Sequence, residues 1–205
     1  MLFMAARGSY AKGKAKRAEI LDVALEVIAR DGYSAATVKN LAEAVGLSQN
    51  GLLHYFGSKD ALFAEILRHE DAIAAQRFDP ATTDFASDLV DRMLAAIETE
   101  IASPGMTQLT LRVTGEATET DHLAHEFLRD RYTGIRSVVH DAVVRLQAEG
   151  RISTTLDPTA VATLVFASWD GLRIQWMYDD TIDIRRHMLY LLKSLGLDVP
   201  SDVVP

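Results

Sequence analysis

Thr37-Val38-Lys39-Asn40-Leu41-Ala42-Glu43-Ala44-Val45-Gly46-Leu47-Ser48-Gln49-Asn50-Gly51-Leu52-Leu53-His54-Tyr55-Phe56 reads as two short helices joined by a tight turn. Val38, Leu41, Ala42 and Val45 stand at i, i+3, i+4 and i+7, the spacing of one buried helix face. Thr37 is placed as an N-cap, and Gly46 as the left-handed residue that ends a helix. Ser48 is placed to cap the second helix, whose apolar side is Leu52, Leu53 and Phe56. Its other side offers Gln49, Asn50 and His54, and Gly51 leaves a gap between them. Such a pair is a helix-turn-helix, whose second helix reads base edges with residues near its N-terminus.

The side chains on that outer face suit the task. Asn and Gln can bond bidentately to adenine, and His54 lies about one turn beyond Asn50. The missing side chain at Gly51 lets the helix lie deeper in a groove. The Tyr55 phenol can meet a phosphate oxygen. Ser58 caps a following helix, and Lys59 with the first amides there makes an anion site. Thr37 and Lys39 can do the same one helix earlier, and Ser48 can touch a phosphate while capping. Each also has a plainer role: Thr37 and Ser48 as caps alone, Tyr55 as cover for an edge, His54 as a solvated side chain. The collective pattern carries more weight than any one residue.

The stretch from about Lys16 to Leu67 resembles the DNA-binding domain of TetR-family transcriptional regulators. The resemblance rests on the Ile20–Ile28 apolar face, Asp31-Gly32-Tyr33, Thr37-Val38, Leu41-Ala42, Val45-Gly46-Leu47-Ser48 and His54-Tyr55-Phe56-Gly57-Ser58-Lys59-Asp60-Ala61-Leu62. It implies that Thr37, Tyr55 and Lys59 hold the DNA backbone, while Gln49, Asn50 and His54 read sequence. It departs at Leu53, where many members carry a phosphate-contacting tyrosine. That contact then falls to Tyr55 or His54.

The net charge of −8 looks unsuited to DNA until its distribution is read. Residues 1–60 hold 8 basic and 6 acidic side chains, and the remainder holds 13 and 23. Arg7, Lys12, Lys14, Lys16 and Arg17 come before any acid, and this basic run, a flexible arm over residues 1–15 continuing into the start of the first helix, is expected to touch phosphates when DNA is present. At physiological salt, charges more than about 8 Å apart are largely screened. A distal acidic region therefore need not repel DNA. Apolar residues make up 48% of the chain, enough for a real core. No apolar run approaches the roughly eighteen residues that suggest a membrane span. The N-terminus lacks a signal-peptide core, and with no cysteine the chain has neither disulfide nor Cys-ligated metal. A cytoplasmic protein without cofactor is expected.

The pattern predicts about nine helices and an all-α fold. A helix-turn-helix domain over residues 16–60 precedes a ligand-binding and dimerisation domain over 61–198 and a short tail over 199–205. The first helix runs from about Lys16 to Asp31. The fourth runs from Ser58 to about Phe78, and the fifth starts near Thr83 or Asp84. Residues 108–114 alternate polar and apolar like a strand. A lone strand would leave its backbone unpaired, and Ser103-Pro104 is a plausible helix start, so a helix is expected. The seventh runs from about His122 to Glu149, the eighth from Pro158 to Tyr178, and the ninth ends at Gly196.

The segment Ala160–Ala167 is apolar almost all round and needs cover on more than one side. Gly171 would admit a close neighbour. A homodimer through the eighth and ninth helices is expected, suiting a palindromic double-stranded operator. The C-terminal region resembles the same family's regulatory domain less specifically, through Trp169-Asp170-Gly171-Leu172-Arg173-Ile174-Gln175-Trp176. The resemblance implies a pocket between the fourth and eighth helices for a small hydrophobic or amphipathic effector. Candidate lining residues are Phe85, Leu89, Met93, Phe127, Trp169 and Trp176, with Arg112 or His125 as polar anchor. Ordinary core packing is the competing role for each apolar one.

Asp121-His122-x-x-His125-Glu126 has the look of a metal cluster but lacks locatable further ligands, so a solvated helix start is expected. No Gly-rich phosphate loop, nucleophile elbow or His-Glu-x-x-His motif points to an enzyme. The expectation is a ligand-responsive regulator, most simply a repressor. The alternatives are a constitutive activator, or a helical small-molecule binder or enzyme with a vestigial reader domain.

Overall fold

A computed structural model describes residues 2–76 and 89–197. Among them are nine α-helices, one short 3-10 turn and no strand. The helices are α1 (Leu2–Asp31), α2 (Val38–Ala44), α3 (Gln49–Phe56), α4 (Lys59–Gln76), α5 (Leu89–Ala102), α6 (Pro104–Glu116), α7 (His125–Ala148), α8 (Pro158–Tyr178) and α9 (Ile184–Ser194). The predicted start of α5 and the end of α4 near Phe78 lie outside the described residues, as does Phe85.

The chain forms two compact units. The first holds α1 to α4 together with α6, and the second holds α5, α8, α9 and nearly all of α7. In the first unit α1 packs on α2, α4 and α6, while α3 lies against α2 and α4. Ile20, Ile28, Leu41, Leu52, Leu62, Ile66, Leu67 and Leu109 are its fully buried large side chains among the described residues. α1 begins at Leu2, well before the expected start at Lys16. The physical reason is composition: residues 4–18 are rich in Ala, Lys and Arg, which favour helix, and contain no proline.

α6 settles the awkward segment as a helix. Met106, Leu109, Thr110 and Val113 are buried at i, i+3, i+4 and i+7, and α6 packs against α1, α4 and the 3-10 turn. The alternation arose because Thr107 and Thr110, polar by type, are buried too. Gly105 sits at the closest approach. A Cβ there would lie 2.6 Å from the Ile28 carbonyl oxygen and 2.9 Å from both Gly32 Cα and Tyr33 N.

The second unit is built on one apolar cluster. Leu89, Met93 and Ile97 of α5 meet Val139, Val143 and Leu146 of α7, Val161 and Val165 of α8, and Ile184, Met188 and Leu192 of α9. Leu191, Leu195 and Trp176 pack on its margin, half-buried. α7 starts at His125, after the expected His122, because residues 117–124 form turns.

Candidate functional site

α3 and the helix before it, α2, are each capped by a group the sequence supplies. Ser48 Oγ accepts from Gly51 N at 3.0 Å, and Thr37 Oγ1 accepts from Asn40 N at 3.1 Å at the start of α2. Each cap is worth about 1 kcal/mol. Between the helices, Leu47 N donates to Ala42 O at 2.8 Å and Gly46 N to Glu43 O at 3.1 Å, with Gly46 at φ +67°. This is the paired closure of a Schellman turn, which needs a residue able to go left-handed.

α3 buries Leu52 and Phe56, leaves Leu53 half-buried, and exposes Gln49, Asn50 and His54. A Cβ at Gly51 would approach Ser48 Oγ to 3.2 Å, so the glycine both bares the face and gives the cap room. Tyr55 is half-buried and meets the His54 ring edge-on, 6.3 Å between centroids. Lys59 is exposed, its Nζ 5.5 Å from the Phe63 ring centre. Lys39 is exposed and only loosely paired with Glu43, at 4.0 Å. The first amides of α4 are capped by Ser58 Oγ, which accepts from Ala61 N at 3.0 Å.

Two cations that composition alone assigns to a DNA-touching arm have internal work. Arg17 Nη1 donates to Tyr55 O at 2.8 Å and Nη2 to Glu65 at 2.9 Å, while its guanidinium lies 4.7 Å from the Phe56 ring centre. It ties the last turn of α3 to α1 and α4. Lys16 pairs with Glu19 at 2.7 Å and reaches Val45 O, the end of α2, at 3.4 Å.

The second unit contains a cavity of about 460 Å³ lined by α5, α7 and α8. Leu89, Met93 and Trp169 line it, joined by Tyr132 and Phe166, whose rings meet edge-on at 4.9 Å. The expectation of a pocket between the fourth and eighth helices is corrected, because the described lining comes from α5, α7 and α8 and includes no residue of α4. Its polar wall is a buried network. Arg173, only 4% exposed, donates to Glu100 at 2.8 Å and to Asp170. Trp169 Nε1 donates to Glu100 at 3.0 Å and Tyr132 Oη to Asp170 at 2.8 Å. Burial pulls the Arg173 pKa down, but Glu100 and then Asp170 outweigh it and hold the pKa above its ordinary value. Tyr132 is pushed up to about 12, first by burial and then by its bond to Asp170.

The polar anchors expected from sequence stand elsewhere. Arg112 belongs to the first unit, where it bonds Glu116 at 2.9 Å and lies 5.6 Å from the Tyr33 ring centre. His125 Nδ1 is 2.9 Å from Ala117 O, closing a local turn, and His122 Nδ1 accepts from Ala124 N at 3.1 Å. Phe127 is half-buried and, like Trp176, is not part of the cavity wall.

The model for bacterial regulatory proteins of the tetR family matches residues 20–66, and that for the C-terminal region of BetI-type transcriptional repressors matches residues 85–195. The chain belongs to the TetR family. It is a DNA-binding transcriptional regulator. The chain is 27% identical over 160 residues to the repressor AcnR of Corynebacterium jeikeium, covering 77% of this chain and 79% of that protein. It is 29% identical over 162 residues to the regulator RutR of Escherichia coli, covering 76% and 71%. A match to the repressor Rv1474c of Mycobacterium tuberculosis reaches 43% identity over 56 residues, but spans only 27% of this chain and 30% of that protein.

Solved structures agree in fold. A TetR-family regulator from Rhodococcus sp. superposes with a TM-score of 0.69 at 25% identity, covering 89% of this chain and 100% of that one. A regulator from Saccharomonospora viridis, solved in complex with choline, gives 0.70 at 23% identity, covering 91% and 99%.

Proposed function

We propose that this TetR-family protein is a homodimeric repressor that reads a palindromic operator with paired α3 helices and leaves it when a small molecule enters the second unit's cavity. The observation that carries the reading is the outward face of α3. Gln49, Asn50 and His54 stand exposed while Leu52 and Phe56 anchor the helix beneath them. Those three side chains read base edges. Gly51 lets the helix settle into the groove, and Thr37, Lys39, Ser48, Tyr55 and Lys59 hold phosphates on either side. Lys59→Ala then weakens binding to all sequences alike and lowers the slope of log affinity against log salt by about 1, measured by titration across salt concentrations.

The dimer rests on the face of α8 that its own unit leaves uncovered. Leu164 is 61% exposed and Ile174 47%, and Tyr190 of α9 is 66% exposed. Leu164, Ala167, Gly171 and Gln175 follow one stripe of α8 beside His187 and Leu191 of α9. A Cβ at Gly171 would meet nothing within 4 Å, leaving room for a second copy of the helix. Two-fold pairing presents readers to half-sites one helical turn, about 34–36 Å, apart. Leu164→Arg should turn the dimer into the 22.6 kDa single chain in sedimentation, with loss of operator binding.

The cavity is the proposed effector site because an apolar wall with a few convergent polar groups suits small molecules. The S. viridis regulator, a protein of this fold, was solved with a small molecule, choline, bound. The effector acts only through its differential affinity for the DNA-bound and released conformations. The family assignment makes the protein a regulator, and we propose no catalytic role for it. No described helix is long and apolar enough to cross a membrane, and cytoplasmic action is part of the proposal. Selection of bound sequences from a random duplex pool tests the reading. An enriched palindrome is expected, whereas no enrichment would favour a binder with a vestigial reader.

A further inference from the structure

The cavity's charge pattern points to the class of molecule it takes, an inference that rests on reading it as the effector site. Among the described residues, three of the four charged side chains that line it are cations: Arg92 from α5, Arg131 from α7 and Arg173 from α8. The fourth is Glu100, and it receives both Arg173 and the Trp169 indole. The second carboxylate of that network, Asp170, receives Arg173 and Tyr132. Both carboxylates are therefore already occupied by donors of the wall itself.

A guanidinium carries five N–H donors in a planar fork. Arg92 and Arg131 can therefore keep partners within the protein and still present donors to a ligand. That fork matches the two oxygens of a carboxylate better than any neutral group. Met93, Phe166 and Trp169 supply an apolar, largely aromatic surface on the same cavity. We propose that the cavity binds an organic monoanion, its carboxylate held by Arg92 and Arg131 and its apolar body lying along Met93, Phe166 and Trp169. The competing class is an organic cation stacked on the aromatic faces. It would have to enter beside the guanidiniums of Arg92 and Arg131.

Decanoate, decan-1-ol and decyltrimethylammonium share one chain and differ in charge. Each is titrated into the full-length protein below its aggregation concentration, following tryptophan fluorescence and calorimetry. Decanoate is expected to bind roughly tenfold or more tighter than decan-1-ol, the scale of a charge-assisted hydrogen bond, and the ammonium compound weakest. In Arg92→Gln and Arg131→Gln, the advantage of decanoate should shrink severalfold while decan-1-ol binds as before, which shows that the cavity is still formed. Equal binding of acid and alcohol, tighter binding of the ammonium, or no binding by any of the three overturns the proposal. Decanoate bound as predicted without release of the selected duplex leaves the anion site standing and removes its effector role instead.

Discussion

Gly105→Ala is expected to lower the thermal midpoint by about 2–12 °C, on the scale of about 2–4 °C per kcal/mol for a chain of this size. The new methyl would lie 2.6 Å from the Ile28 carbonyl oxygen and 2.9 Å from Gly32 Cα and Tyr33 N. All three are backbone atoms, so no side chain can rotate away. The Ile28 oxygen is also the acceptor for Gly32 N at 3.0 Å, the bond that closes α1. Relief therefore requires α6 to lift from α1 or the end of α1 to unwind. Overpacking of this kind costs about 1–3 kcal/mol, occasionally more. Gly115→Ala in the same helix is the control, because a Cβ there meets nothing within 4 Å. It should stabilise by up to about 1 kcal/mol, the helix preference of Ala over Gly. Equal melting of the two variants would show that α6 does not approach α1 as described.

Arg173→Met should cost about 3–5 kcal/mol, the usual loss when one partner of a buried ion network is removed. The side chain is 5% exposed and pairs with Glu100 and Asp170, whose side chains are 21% and 22% exposed. Methionine fills similar space, so the loss comes from two carboxylates left without their cation. The triple variant Arg173→Met, Glu100→Gln, Asp170→Asn should recover much of it. The amides can still accept from Trp169 and Tyr132, whose bonds now end on Glu100 and Asp170. Denaturant midpoints at neutral pH check both statements. A single variant as stable as the parent, or a triple variant no better than the single, would show that the network does not hold this wall together.

What the sequence disclosed and what it hid divide along a physical line. Thr37, Ser48 and Gly46 were legible because a cap or a turn is decided within a few residues. The reader helix was legible for the same reason, since the burial of Leu52 and Phe56 follows from their spacing. Arg17 was read as part of a basic arm because its partners lie 38 and 48 residues away. The cavity's anchor was placed on Arg112 or His125 because no local signal joins Arg173 to Glu100 across 73 residues. Gly105 gave no sign either. A glycine one residue after Pro104 looks like ordinary helix entry, and only the approach of α1 makes its missing side chain necessary. In α6, buried threonines broke the hydrophobic period, so the helix had to be inferred from backbone pairing.

The central claim is that the outer face of α3 reads base edges. The most direct measurement is the affinity of the parent and of Asn50→Ala for the selected palindrome and for each of its single-base-pair variants, at one fixed salt concentration. For the parent, changes at contacted positions should each cost about 1–3 kcal/mol. In Asn50→Ala that penalty should fall away at one position in each half-site while the others keep theirs. A penalty profile identical in the two proteins, with overall affinity also unchanged, would place sequence reading somewhere other than this helix.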